Sequence, residues 1–334
     1  VNSAYSFDHL IRMSDDNGLF EHAEYDLPRK EHGYCVDDVA RGLVVIGREV
    51  DASPELLSLA AVYLDFITTA QAVEGRFHNR MDVFGQLTDT PTLDDCWGRA
   101  LWALGSVAAR VPSLSVRALH AFDRSVGWRS PSLRAMSFAA LGAAEVLALD
   151  PGHHGAQRLL GATALSLASF SGSSEWPWPE PRLRYANGVI PQVLLLAGHL
   201  LDEPRWRDEG MRSLLWLVEV ETRDGHLSVT PVGGWGPGEE RPGFDQQPIE
   251  VAALADACRT AFEITGEPRW LETIGLCADW FDGRNDTGLP MTDVRRSVGF
   301  DGLQAAGRNQ NHGAESTLAM LTTFQHLQWS RVDA

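Results

Sequence analysis

Basic residues are scarce in this chain. Lysine and arginine together number 28 against 45 aspartates and glutamates, a formal charge of −17. Phosphate backbones are gripped by basic patches, so nucleic acid is excluded as a partner, and acidic membrane surfaces with it. No apolar run reaches the roughly 20 residues that a membrane-spanning helix needs. The first residues lack a basic-then-apolar leader pattern. Cysteine is sparse too: Cys35, Cys96, Cys258 and Cys277, with no CxxC pair. That reads as buried thiols in a reducing compartment, not as a disulfide frame or a zinc site. The expected location is cytoplasmic, with no metal and no cofactor. Strand-like alternation is rare and confined to connections such as GHLSVTPV. No Pro/Gly/Ser linker divides two cores. The glycine-rich VGGWGPGEERPGF (232–244) reads as a pocket loop. Residues 1–334 are therefore expected to form one domain.

What is abundant is helical periodicity. Six stretches are rich in Ala, Leu and Gly on nearly every face: DDVARGLVVIGREV, DDCWGRALWALGSVAARV, SLRAMSFAALGAAEVLAL, NGVIPQVLLLAGHLL, QPIEVAALADACRTAFEITG and GAESTLAMLTTFQHLQW. Helices apolar all round belong inside a larger structure. Between them lie amphipathic stretches, several opened by Ser, Asp or Glu beside Pro, a helix-start signal. SFDHLIRMSD supplies a sixth outer candidate. The recurring EPRW at 203–206 and 267–270 marks the same point in two successive hairpins. Six inner helices inside an outer ring make an all-α (α/α)6 toroid. Short turns such as RVPSLS and TGEPRW close one end. The long connections 74–93, 172–186, 222–246 and 284–312 all enter inner helices, so a pocket is expected at that end.

Carboxylates gather at those same helix heads: Asp37 and Asp38, Asp94 and Asp95, Asp245 and Glu250, and Glu315, with Glu180 in a preceding loop. A helix N-terminus offers unpaired N–H groups and partial positive charge, so capping explains one acid of each pair, Asp37 and Asp94. It does not require Asp38 or Asp95, which are expected just inside the first turn and directed to the central cavity. Glu250 and Glu315 stand on apolar helices, where an acid is costly unless hydrogen-bonded or used. The loop EWPWPEPRLRYAN (175–187) mixes aromatic and polar groups as sugar sites do. Trp176 and Trp178 are candidates for stacking on sugar faces, or for filling space under the loop. Tyr185 and Asn187 can bond hydroxyls, and Trp235, Gln247 and His312 are further wall candidates. Glu180 sits among aromatics and prolines, surroundings that raise a carboxyl pKa and suit a general acid.

HGYCVDDVARG, DDCWGRALWALG, WPWPEPRLRYANGVIPQVLL, FDQQPIEVAALADAC and NHGAESTLAML, in that order, resemble a bacterial (α/α)6-barrel family similar to six-hairpin glycosidases. The resemblance implies carbohydrate processing in a central pocket. It marks Asp37, Asp38, Asp94, Asp95, Glu180, Tyr185, Asn187, Gln247, Glu250 and Glu315. Val39 stands where that pattern leads one to expect Asn, and Cys96 and Trp97 where it leads one to expect smaller polar residues. The expectation is a glycoside hydrolase with a two-carboxylate, inverting mechanism, Glu180 as acid and Asp38 as base, with Asp95 and Glu250 as competitors. The alternatives are a sugar epimerase or isomerase working through histidines, a glycoside phosphorylase with arginine near the acids, and a carbohydrate-binding module without catalysis.

Overall fold

The computed structural model describes residues 5–169, 175–293 and 295–332. Its helices are α1 (Asp8–Arg12), α2 (Val36–Gly47), α3 (Pro54–Ala70), α4 (Asp95–Arg110), α5 (Ser115–Ser125), α6 (Leu133–Leu149), α7 (His154–Ser169), α8 (Val189–Leu200), α9 (Pro204–Val220), α10 (Pro248–Thr265), α11 (Arg269–Phe281) and α12 (Ala314–Val332). The even-numbered helices from α2 to α12 pack each on the next, and α12 returns to α2. The ring is closed. α3, α5, α7, α9 and α11 each cover the inner helix that precedes them. The sixth outer place holds only the five-residue α1, against α12. This is the (α/α)6 toroid, one domain. Among the described residues, no helix is long and apolar enough to cross a membrane.

Local signals set the helix limits. Ser53 accepts a hydrogen bond from the Leu56 N–H, with Pro54 opening α3. Ser132 does the same for Ala135 at the head of α6. Pro204 and Pro248 open α9 and α10. The EPRW echo is a packing device: Trp270 is buried in the first turn of α11 and Trp206 lies half-buried against the core. α4 and α6 approach until only glycine fits. A Cβ on Gly98 would stand 2.2 Å from the Ala135 carbonyl, and one on Gly142 2.1 Å from that of Leu101.

The inner helices run parallel, so their C-terminal ends share the closed face, joined to the outer ring by short turns at 48–53, 111–114, 150–153, 201–203 and 266–268. Their N-terminal ends share the other face. There the connections are longer and carry five two-residue antiparallel pairs: β1 (Ala23–Glu24) with β2 (Leu27–Pro28), β3 (Tyr34–Cys35) with β4 (Arg80–Met81), β5 (Thr222–Arg223) with β6 (His226–Leu227), β7 (Thr292–Asp293) with β8 (Val298–Gly299), and β9 (Leu303–Gln304) with β10 (Gly307–Arg308). These clips turn long loops into a rigid rim, which is the open mouth of the toroid.

Candidate active site

The β3–β4 pairing fixes the head of α2. Cys35 is held extended against Arg80 and becomes the N-cap residue. Asp37 and Asp38 therefore fall inside the helix, and neither caps it. Asp38 turns inward and is 3% exposed. Its carboxylate accepts from the Cys35 thiol at 3.2 Å and from Arg41. Burial raises the Asp38 pKa to about 6; Arg41 pulls it down and Glu315 pushes it up. The other arm of Arg41 holds Glu315 at 2.7 Å, tying α2 to α12. Asp37 faces the rim, accepts from Asn79 Nδ2 at 3.0 Å, and lies 3.5 Å from Arg99 Nε.

A second arc runs through α4, α6, α8 and α10. Asp94 occupies the N-cap position of α4 but is exposed, and its side chain makes no capping bond. Asp95, one residue on, accepts from the Tyr185 hydroxyl at 2.7 Å. That contact and burial both raise the Tyr185 pKa, burial the more. Tyr185 is positioned by a tight turn. Ala186 has φ 49°, in the left-handed region. Glu250 holds the turn, accepting from the N–H groups of Ala186 and Asn187 and from Asn187 Nδ2 at 2.9 Å. Burial, then the nearby Glu221, raises the Glu250 pKa, while these donors oppose the rise. Arg134 braces the same turn through the carbonyls of Tyr185 and Ala186, at 2.6 and 3.0 Å. Its second arm binds Asn187 Oδ1 and the Glu180 carboxylate.

Two hollows among these helix heads share wall residues. The mouth has a cavity volume of about 310 Å³, walled by Glu21, Asp37, Asp38, Asp301 and Glu315, with His22 and Gln247. Beneath it is a hollow of about 40 Å³, room for a few waters. Arg41 and Glu315 border both. Arg99, Arg48, Trp102 and Phe138 line the lower one.

The structure thus brings Asp37, Asp38, Gln247 and Glu315 together at the mouth, while Asp95 and Tyr185 meet on the Arg99 side. Glu180, Asn187 and Glu250 form the bonded wall behind Tyr185 and are absent from the linings of both hollows. Trp176 and Trp178 are buried. Trp176 meets Trp216 and Trp235 edge-on at 5.0 and 5.2 Å, and Trp178 lies 5.7 Å from Trp216. His312 is buried against Phe300, ring centres 4.6 Å apart, and its pKa is lowered by burial. Asp245 is exposed outside.

Glu21, Asp301, Arg99 and Arg134 were not singled out in the sequence. The two arginines carry the signal that marked Glu250: a charge on a helix apolar nearly all round. Glu21 and Asp301 lie in loops, where no period points to them. Glu21, Cys35 and Asp38 offer atoms within 4.8 Å of one another, the nearest approach to a metal-ligand set among the described residues. Burial and Asp38 push the Cys35 thiol well up, so it stays protonated and donates to Asp38. Arg41 already places a cation on the same carboxylate.

No family model and no curated protein matches the chain. Solved structures do. A cellobiose 2-epimerase from Bacillus thermoamylovorans superposes with a TM-score of 0.73 at 11% identity, covering 96% of both chains. A D-mannose isomerase gives 0.70 at 12%, over 98% of this chain and 94% of that one. An alpha-amylase from Clostridium perfringens gives 0.62 at 12%, over 98% of both. At such identities the likeness is one of fold: the chain shares, end to end, the (α/α)6 toroid of sugar epimerases and six-hairpin glycosidases.

Proposed function

We propose that the protein is a carbohydrate-active enzyme, and specifically a glycoside hydrolase working at the mouth of the toroid. The observation that carries this reading is the carboxylate wall of the mouth, with Asp38 raised to about 6 inside it. A carboxyl whose proton affinity is raised toward neutrality, beside further carboxylates, is the equipment for cleaving an acetal. Asp38 gives its proton to the leaving-group oxygen as the glycosidic C–O bond breaks. A second carboxylate of the mouth, Asp37 or Glu315, takes a proton from the attacking water, whose oxygen bonds to the anomeric carbon. Glu180, expected as the acid, is fixed on Arg134 and outside the lining, so the donor role passes to Asp38. Asp95 and Tyr185, also outside both linings, take no part in the step. Inversion is the expected course, and the anomer first formed, read by NMR, tests it.

One observation favours a second reading, epimerisation or isomerisation: the epimerase and isomerase structures superpose better than the amylase. Moving a proton at a sugar carbon is suited to imidazole. Among the described residues lining the mouth, His22 is the one histidine, and its side chain is 51% exposed. The lower hollow has none in its lining. The test is incubation with a panel of oligosaccharides and reducing disaccharides. Hydrolysis multiplies reducing ends, and Asp38→Asn abolishes the increase. Epimerisation keeps their number and changes the configuration beside the anomeric carbon. Binding without turnover of any sugar would make the protein a binding module and end the enzymatic reading.

A further inference from the structure

Arg99 is the odd charge in this site. It is 3% exposed, on the inner face of α4, and lines the lower hollow. Its guanidinium lies 3.9 Å from the Phe138 ring centre, with Asp37 3.5 Å from Nε. Among the described residues it donates no hydrogen bond, and Nε is buried without an acceptor. Every other buried arginine at this end is engaged: Arg134 on three oxygens and Glu180, Arg41 on Asp38 and Glu315. Arg41 nonetheless keeps its Nε unpartnered in the same hollow. A guanidinium offers five N–H donors, and burying it unbonded is costly. The hollow it faces, about 40 Å³, suits a substituent of a few heavy atoms and is too small for a sugar ring. Most of its remaining wall is apolar, which strengthens any charge-assisted bond made there; the other polar residues of the wall are Arg48, Asp256, Glu315 and Thr322, and the two acids are already paired, Glu315 with Arg41 and Asp256 with Arg48.

We propose that the lower hollow is an oxyanion subsite, with Arg99 as its principal ligand and Arg41 Nε beside it. The group bound is a carboxylate or phosphate. It comes either from the sugar itself, as in a uronic acid, or from free phosphate taken up beneath the sugar. This rests on the reading that sugar occupies the mouth, because only then does the lower hollow meet a substituent of the substrate.

The test is calorimetric titration of the full chain with glucuronate, inorganic phosphate and neutral glucose, which needs no turnover. Glucuronate, phosphate or both bind, glucose binds more weakly, and Arg99→Met lowers the oxyanion affinity about 10- to 100-fold. Arg99→Lys retains part of it, having the charge without the fork. Binding of glucuronate alone assigns the oxyanion to the substrate; binding of phosphate points to phosphate as co-substrate. The ligand-free Arg99→Met protein stays folded at the assay temperature, checked by a thermal melt, because Asp37, which loses its 3.5 Å ion pair, keeps its hydrogen bond from Asn79. Absence of binding by both oxyanions, equal binding of glucose, unchanged affinity in Arg99→Met, or a large drop in its melting temperature would each overturn the proposal. None of these touches the hydrolytic reading, which fails separately if Asp38→Asn retains turnover.

Discussion

Asp38 at the mouth and Asp256 near the closed end are both almost fully buried on inner helices, and both face an arginine. Their proton affinities are moved in opposite directions. Asp256 pairs with Arg48 at 2.8 Å and accepts from His326 at 2.6 Å, and this cation and donor hold its carboxyl below the usual range in spite of burial. Asp38 has half of one guanidinium, since Arg41 is shared with Glu315, and Glu21 adds further negative charge. Burial then wins and the carboxyl rises to about 6. The fold makes a lock where the cations match the acid and a proton carrier where they fall short. The closed end also has a hollow, about 190 Å³, but Asp256 and His326 are bonded to one another within its wall.

The largest expected effect separates the two acids by activity. Asp38→Asn lowers turnover about 100- to 10,000-fold, the usual contribution of a positioned acid or base. It does so without unfolding the protein at pH 7, which a thermal melt of the same sample checks. Asp256→Ala does the reverse. It strands Arg48 and His326 inside the ring, and breaking a buried pair costs about 3–5 kcal/mol of stability, read as a shift of the urea midpoint. A small midpoint shift for Asp256→Ala would break the comparison at its structural end.

The dependence of stability on pH sharpens it further. Asp38 has a raised pKa in the folded state, so its contribution is fully present below about 3.8 and is lost as pH rises through about 6. Ionised at pH 7, it costs about 3 kcal/mol, from a shift of about two pKa units. Asp38→Asn should therefore be at least as stable as wild type at pH 7, with the difference fading toward pH 4. His326 is lowered by burial, so protonation disfavours the fold and stability falls as pH drops below about 6.5. In Asp38→Asn that acid-side loss is left unopposed. Denaturation of wild type and Asp38→Asn from pH 4 to 8 gives both slopes; curves running parallel would mean Asp38 does not titrate in this window.

How much of this could be read in advance follows from the same division. The ring was legible because six stretches lack a polar face, and the mouth because loop length is lopsided. Asp38 was legible as an acid one position beyond any capping need. The start of α2 was not, since it depends on Cys35 pairing with Arg80, 45 residues away, and that pairing takes the cap from Asp37. Glu180 looked like an acid in apolar company because Arg134 lies 46 residues earlier with no local hint of contact. The lock at the closed end left a fainter trace: Arg48, Asp256 and His326 are charges in apolar helices, but toward the middle and end of them, away from the heads where acids accumulate.

The smallest expected effect concerns backbone strain at the two ends. Gly266 closes α10 in the left-handed region, φ 68°, with nothing near its missing Cβ, and glycine is the residue that adopts it without penalty. Ala186 at the mouth holds φ 49° with a Cβ present, which costs an L-residue about 1–2 kcal/mol. Glu250 and Arg134 hold it there through the Ala186 N–H and carbonyl, groups any residue would offer. Gly266→Ala should therefore lower stability by about 1 kcal/mol. Ala186→Gly should raise it by less than about 1 kcal/mol, because relief of the strain is partly offset by the greater freedom of unfolded glycine. Urea midpoints of the two variants decide the matter. A loss in Ala186→Gly would show that the methyl group packs against the lower hollow strongly enough to outweigh the strain, and that this turn is set by packing as well as by Glu250.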